Sequence, residues 1–518
     1  MTGRYVMALD EGSTSARTLI IDPDGQVVSE ARRQLEVVFP RPGWVELDPV
    51  KLFDAQLETM HEAMANAGCT VRDVAAIGIT THRETAMIWD RETGLPVHDA
   101  LVWMSKQTDD IIRRWSSEGL DDEIRARTGL FNDSYFSAGK LAWLLENVEG
   151  CRERAERGEL AAGTVDTWLL WNLTGGRSHM TDHSEASRTM IFNLEELAWD
   201  ESLCSSFGIP MELLPQAAPS DAHFGETSPE LLGTSVPVTA ILADQQAGLF
   251  GQACFEEGMA KNTFGTAGVL TINAGTRPLY VDGMTTSVGW TAGGESTYEL
   301  EGVVFHSGQT IQYLRDRLHM IGDASETEEI ARQLDDTGGV YFVPAFQGLC
   351  APHWDREAKA AIVGISLETE TRHIVRAALE SMAYQTHDNI EALIGGGEEI
   401  SSLRVDGGAS RNDELCQFQA DISNVPVERP HGLERTGLGV AYLAGIAPGL
   451  WSNMGEVARD WTPERVFEPR MPEEKRERLY RGWRTAVRAA CLRPEAEDPP
   501  GQNPPLEGWS LRHQSDER

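Results

Sequence analysis

Two segments in opposite halves of the 518-residue chain repeat one device. Near the start, the apolar run Tyr5-Val-Met-Ala-Leu-Asp10 breaks into Glu11-Gly-Ser-Thr-Ser-Ala-Arg17 and resumes as Thr18-Leu-Ile-Ile21. Midway, Met259-Ala-Lys-Asn-Thr263 leads into Phe264-Gly-Thr266, and Gly268-Val-Leu-Thr-Ile272 follows. Each predicts a strand, a glycine–hydroxyl turn and a second strand. Successive backbone N–H groups and hydroxyls in such a turn can converge on one phosphate. Two facing copies would hold a nucleoside triphosphate between two lobes, so phosphoryl transfer is the first chemistry to consider.

The elements that must position these turns alternate in type. Asp24-Gly25 is a hairpin signal. Asp48-Pro49 predicts an N-cap followed by proline at the first helical position, opening a helix through Leu52, Leu57, Met60 and Met64 to Gly68. The apolar run over 74–80 predicts a buried strand. Segments 86–90 and 95–97 predict a hairpin about Thr93-Gly94, and 141–145 and 169–173 predict buried helices. In the second half, helices are expected over 310–320, 374–393 and 412–423, and strands over 340–343 and 403–406. Asp244 follows the apolar run 238–243 and precedes a helix-forming stretch. That places it at a strand's C-terminal edge, where α/β folds gather ligands.

Composition narrows the partners. Lysine and arginine number 45 against 81 acidic residues, a net charge of −36. Such a surface repels nucleic acid and anionic membranes, whose binding needs cationic patches. Lysine occurs only at Lys51, Lys106, Lys140, Lys261, Lys359 and Lys475. An acidic, lysine-poor surface fits a high-salt cytoplasm, where screening relaxes self-repulsion; a GC-rich genome favouring arginine fits equally well. The 41% hydrophobic content supports a core in each of two domains. Seven cysteines without metal spacing point to free thiols in a reducing compartment. No signal-peptide layout and no uncharged apolar run of ~18 residues is present, so a cytoplasmic protein without membrane insertion is expected.

The residues resemble the FGGY carbohydrate kinases, the sugar-kinase branch of the actin-like ATPases. The resemblance runs to about residue 485 and includes Ala8-Leu-Asp-Glu-Gly-Ser-Thr-Ser15, Gly43-Trp-Val-Glu46, Ile79-Thr-Thr-His-Arg-Glu-Thr85, Tyr135-Phe-Ser137 with Lys140 and Trp143, and Val165-Asp-Thr-Trp168. It continues through Ala243-Asp-Gln-Gln246, Lys261-Asn-Thr-Phe-Gly-Thr266, Ile311-Gln-Tyr-Leu-Arg-Asp316, Val343-Pro-Ala-Phe346 and Asp406-Gly-Gly-Ala409. It implies an α/β fold of two actin-like ATPase (ribonuclease H-like) domains with the nucleotide and substrate in the cleft between them. Residues 1–251 would form the N-terminal, polyol-binding domain and 252–490 the C-terminal, nucleotide-binding domain. Residues 491–518, rich in proline and polar groups, are expected to be a disordered tail.

The implied activity is ATP-dependent phosphorylation of a small polyol, glycerol to sn-glycerol 3-phosphate first. By this resemblance Asp244 is the general base, taking the hydroxyl proton as the O–P bond forms. Arg83 and Glu84 grip neighbouring hydroxyls, one donating in a fork and the other accepting. Trp103 and Tyr135 wall the substrate, with Gln245 beside them. Asp10 holds Mg²⁺, and Ser13, Thr14 and Arg17 address the phosphates. Gly265 and Thr266 are the facing phosphate contact. Gly308 and Gln312 flank the nucleotide, and Gly408 and Asn412 hold its adenine end. A homodimer or homotetramer is implied.

Several positions depart from the family pattern. His82 and Glu11 stand where glutamine is usual, Val269 where phenylalanine is usual, and Cys350 where glycine is usual. Glu11 places a potential negative charge beside the phosphates. Val269 removes part of an apolar wall, unless a neighbour such as Leu270 fills the gap. A four-carbon polyol such as erythritol or threitol, dihydroxyacetone or a ketopentose therefore stays open as substrate. A non-catalytic nucleotide or sugar sensor is the alternative outside the class. Between Phe224 and Val236 the chain is acidic and lacks arginine and histidine, so control by allosteric phosphate or phosphotransferase is not expected.

Overall fold

The computed structural model describes residues 4–493. The expected tail lies outside the described residues, apart from Cys491, Leu492 and Arg493, which follow the last helix, Glu473–Ala490.

Two sheets organise the chain. The first contains β1 (Tyr5–Gly12), β2 (Ser15–Ile21), β3 (Val27–Gln34), β4 (Val74–Thr81), β5 (Gly225–Glu226) and β6 (Pro237–Ala243), in the order β5-β6-β4-β1-β2-β3. The second contains β7 (Ala260–Phe264), β8 (Gly268–Asn273), β9 (Thr285–Ala292), β10 (Glu295–Val304), β11 (Leu403–Asp406), β12 (Val427–Pro430) and β13 (Pro463–Phe467). Their order is β9-β10-β8-β7-β11-β12-β13. The central pairings match. β1 is antiparallel to β2 and parallel to β4, which is parallel to β6. β7 is antiparallel to β8 and parallel to β11, which is parallel to β12. One lobe thus repeats the other, and both phosphate-loop candidates are the first hairpin of their sheet.

Local chemistry sets the elements. β4 and β6 are apolar and almost wholly buried, as central parallel strands are. Helix α1 (Pro49–Ala67) starts where Asp48 accepts from the Val50 and Lys51 N–H groups and stops at left-handed Gly68. A smaller sheet (Val37–Val38, Glu46–Leu47, Ala100–Leu101, Ala86–Asp90 and Leu160–Thr164) lies beside α2 (Ser137–Asn147). It frames the segments that carry Trp103 and Tyr135.

Helices α3 (Asp244–Gly251) and α4 (Arg435–Ile446) join the halves. A Cβ on Gly251 would lie 2.0 Å from the Arg435 carbonyl oxygen, and one on Gly439 1.9 Å from that of Ala247. The two helices therefore cross with their backbones in contact, which only glycine permits. Leu249, Phe250, Leu438, Val440 and Leu443 close this crossing against Val6, Ala8 and Leu242 of the first sheet.

Two local expectations change and a third gains a partner strand. The first phosphate turn narrows to Ser13 and Thr14, because β1 and β2 extend through Gly12 and Ser15 and take Arg17 into a strand. Ala86–Asp90 forms the expected hairpin with 95–97, the Asp90 N–H donating to the Leu95 carbonyl and the Val97 N–H to that of Ile88, each at 2.9 Å, and it also pairs along its length with Leu160–Thr164. The helix expected to reach 320 is Gly308–Asp316. It ends because the Leu318 and Met320 N–H groups turn back to the Tyr313 and Leu314 carbonyls, with His319 left-handed at φ 53°. All seven cysteines are free thiols. Among the described residues, no helix is long and apolar enough to cross a membrane.

Candidate active site

Asp244 opens α3 where β6 ends. Its side chain is 29% exposed, and Oδ1 accepts from the Gln245 backbone N–H at 2.7 Å and lies 3.2 Å from Arg83 Nε. Burial pushes its carboxyl above the usual aspartate range, against the pull of Arg83 and Lys261. A carboxyl raised in this way binds a proton more readily, as a general base must.

Arg83 and Glu84 follow the end of β4 and are 3% and 1% exposed, which rules out a surface charge pair. Glu84 is left-handed, at φ 64°; this sharp backbone turn brings both side chains inward. Arg83 Nη1 donates to Glu301 Oε2 at 2.5 Å. Arg188 Nε donates to Glu84 Oε1 at 2.8 Å, and its Nη2 donates to Glu301 Oε1 at 2.6 Å. The result is a buried chain of alternating charge: Asp244, Arg83, Glu301, Arg188, Glu84. Burial drives Glu301 upward, and Arg188 and Arg83 more than reverse it, holding it below the usual glutamate range. Neighbouring Glu299 is pushed up to about 7 by burial and by Glu301. Arg188 and Glu301 were not among the residues the sequence singled out. The available signal was two acids, Glu299 and Glu301, alternating with Leu300 inside an otherwise buried strand.

The Trp103 and Tyr135 rings meet edge to face at 5.7 Å. Trp103 Nε1 donates to Ser13 Oγ at 2.8 Å, tying the first hairpin to this wall. Lys140, on α2, belongs to the family segment that begins at Tyr135, but the sequence assigns it no role. Its buried ammonium donates to the carbonyls of Ser134, Tyr135 and Phe136 at 2.9, 2.6 and 3.0 Å, fixing the segment that carries Tyr135. Burial pulls this amine down to about 7, while three acceptors match the three N–H bonds of the charged form. Gln245 Oε1 accepts from Lys261 Nζ at 2.6 Å, linking α3 to β7.

Strand register shows what the second sheet offers. Lys261 pairs with Thr271 and Thr263 with Val269; Val269 in turn pairs with Val303 and Thr271 with Glu301. Directly opposed residues share a face, so Val269 and Val303 lie on the face that sends Glu301 to Arg83. Val269 packs with Val303 and Cys350, flanked by Phe305 and Trp354. Leu270 points into the opposite core and does not fill that place.

On the nucleotide side, Asp10 and Arg17 form an ion pair, and Arg17 also pairs with Glu434. Glu11 adds less charge than expected. It is fully buried with no hydrogen-bond partner for either carboxyl oxygen, and burial and Asp10 push it well above the usual range. His82, lowered to about 4 by burial, is neutral at physiological pH and presents Nδ1 to the Glu11 carbonyl at 3.1 Å. Thr266 is exposed; its carbonyl accepts from the Ser307 and Gln309 N–H groups, and Gly308 N–H donates to the Gly265 carbonyl at 2.9 Å. Gln312 is exposed on the following helix. A Cβ on Gly407, at φ 81°, would strike the Phe264 backbone, whereas one on Gly408 would meet nothing within 4 Å. Asn412 caps the helix Asp413–Ser423 through the Leu415 N–H and donates to Thr327 Oγ1 at 3.1 Å. Thus Ser13, Arg83, Glu84, Trp103, Tyr135 and Asp244 are joined through direct contacts and through Arg188 and Glu301. Among the described residues, Gln312, Gly408 and Asn412 form no hydrogen bond or ion pair with that network.

Residues 5–251 match the N-terminal domain, and 260–448 the C-terminal domain, of the FGGY family of carbohydrate kinases. The chain belongs to this family. It is 48% identical to the glycerol kinase of Caldanaerobacter subterraneus subsp. tengcongensis over 489 residues, 94% of this chain and 98% of that one. It is 50% identical to the glycerol kinase of Halorhodospira halophila over 491 residues, 94% of this chain and 97% of that one. The crystal structure of Plasmodium falciparum glycerol kinase with ADP superimposes with a TM-score of 0.89 at 33% identity, covering 95% of this chain and 99% of that chain. As an FGGY enzyme, the chain is a carbohydrate kinase, and the network around Asp244 lies where its two sheets meet.

Proposed function

We propose that the protein transfers the γ-phosphoryl group of ATP to a terminal hydroxyl of glycerol, forming sn-glycerol 3-phosphate. The observation that carries this reading is the placement of Arg83 Nε 3.2 Å from Asp244 Oδ1, with Glu84 bound into the same buried chain. A guanidinium, an accepting carboxyl and a base beside one another suit adjacent hydroxyls of a short polyol. The glycerol kinases to which the chain is similar support the same substrate.

In this reading Arg83 and Glu84 orient the middle and far hydroxyls, and Trp103 and Tyr135 close on the carbons. Asp244 accepts the proton of the reacting hydroxyl as the O–P bond forms. Ser13, Thr14, Arg17, Gly265 and Thr266 take the phosphates; Gly308, Gln312, Gly408 and Asn412 take the nucleoside end. Closure of the lobes excludes water, which would otherwise consume ATP. Magnesium binds through one or two carboxylates plus phosphates and keeps several waters. Asp10 fits that role as a single hard oxygen donor at the first hairpin, and no cluster of three or more ligating side chains suited to a resident metal occurs among the described residues. When bound, the ion offsets the charge of the phosphates.

A coupled ADP-release assay across glycerol, erythritol, threitol, dihydroxyacetone and ketopentoses tests the proposal. The highest kcat/KM is expected with glycerol. Absence of turnover with every acceptor, at both low and molar salt, would favour a non-catalytic sensor.

A further inference from the structure

We propose that Arg188 and Glu301 are positioning residues for the acceptor grip, and that Glu301 makes this grip a joint product of both sheets. The inference rests on the polyol reading above. Arg83 and Glu84 follow β4 of the first sheet, whereas Glu301 lies on β10 of the second. The two Glu301 oxygens are divided between two guanidinia, Oε2 for Arg83 at 2.5 Å and Oε1 for Arg188 at 2.6 Å. Arg188 is likewise divided: Nη2 serves Glu301, Nε serves Glu84 at 2.8 Å, and Nη1 reaches the Thr285 and Ser287 hydroxyls at 3.3 and 3.4 Å on β9. All four charged side chains are at most 3% exposed, so water does not weaken these bonds.

This arrangement decides which way Arg83 faces. The other carboxylates within its reach are Asp244 at 3.2 Å, Glu84 at 3.8 Å and, beside Nη1, Glu299 at 4.0 Å. Without Glu301, the guanidinium turns toward Glu299, or more fully onto Asp244 or Glu84, and in each case its aim at the acceptor hydroxyls is lost. Glu301 draws Nη1 away from Asp244 and Glu84. Arg188 does the same for Glu84, fixing one of its oxygens and leaving the other for substrate. Because Glu301 and the Arg188 hydroxyl partners belong to the second sheet, the grip is complete only while the sheets are docked. Opening the cleft separates Arg83 from Glu301, so release of the lobes also loosens the polyol.

Glu301→Gln keeps the shape and removes the charge. Arg188→Lys keeps the charge and removes the fork, so it tests the same chain even if Glu301→Gln fails to fold. Each is expected to raise the KM for glycerol by about 10-fold or more while leaving the KM for ATP within about 2-fold. The double variant should be no worse than about the poorer single one, because both changes break one chain. An unchanged glycerol KM in both single variants overturns the proposal. An equal loss for glycerol and ATP also overturns it and reduces the network to a scaffold. Wild-type protein inactive on glycerol defeats the polyol reading and this inference with it; active wild type with unaffected variants defeats this inference alone.

Discussion

On the acceptor side of the cleft, Arg83, Glu84, Arg188 and Glu301 are buried and every one is ion-paired. On the nucleotide side, Thr266, Gln312 and Gly408 are exposed, and Gly408 has open space where a Cβ would stand. The first region is wired before any ligand arrives. The second presents backbone and small polar groups to solvent. A short polyol offers few atoms, so its selection depends on fixed donors and acceptors that lose little freedom on binding. A nucleotide offers phosphates and a large apolar base, and an open, glycine-lined surface can engage it through the main chain. The contrast assigns polyol selectivity to buried charge geometry and binding of the nucleoside end to main chain and shape, with Asp10 and Arg17 supplying charge only at the phosphates.

Breaking the acceptor side at its centre should have the largest effect. Asp244→Asn preserves shape but cannot take a proton, so kcat should fall by about 10²-fold or more with the glycerol KM little changed. Wild-type kcat/KM should rise with pH through an acid limb centred above the ordinary aspartate value of ~3.9, because burial raises the carboxyl and only its ionised form is a base. Retention of most of the kcat would remove Asp244 from the role.

Lys140→Met leaves three inward-facing carbonyls without their shared donor. A loss of about 3 kcal/mol in urea unfolding is expected, with a raised glycerol KM as Tyr135 loosens. Unaltered stability would mean that the segment can satisfy those carbonyls in another way.

Thr266→Ala probes the open side. Removing one hydroxyl contact worth about 1 kcal/mol should raise the ATP KM roughly 5-fold and leave glycerol unaffected. A glycerol effect of the same size would blur the division between the two sides.

The smallest expected change is in selectivity. Val269 shares the cleft face with Glu301, so Val269→Ala should raise the erythritol-to-glycerol ratio of kcat/KM by about 3-fold to 10-fold. A constant ratio would show that Val303 and Cys350, not Val269, bound the site.

The parts of this account that were legible in the sequence depend on local signals. An apolar run followed by glycine and hydroxyl residues marked both first hairpins, and Asp48-Pro49 marked the start of α1. Asp244 and Arg83-Glu84 were legible because polar residues directly followed buried strands. Arg188 and Glu301 were not, because their pairing joins positions 113 residues apart, one in a turn and the other on a strand of the second sheet. Lys140 was legible as part of a family segment but its role was not, because its acceptors are main-chain atoms of a preceding loop with no sequence signature. The Ala86–Asp90 hairpin was legible from its turn residues, whereas its second partner, Leu160–Thr164, is remote in sequence and was not. Glu11 was expected to place a potential negative charge beside the phosphates, and only the structure shows that burial and Asp10 push its carboxyl upward.

The division between a charge-built acceptor grip and an open nucleotide face is tested most directly by calorimetric titration of Arg83→Ala with glycerol and, separately, with ATP. The account predicts that glycerol affinity falls by more than about 10-fold, as for a lost charge-assisted fork, while the Kd for ATP stays within about 2-fold. Parallel weakening of both ligands would contradict it and make Arg83 a structural strut between the two sheets.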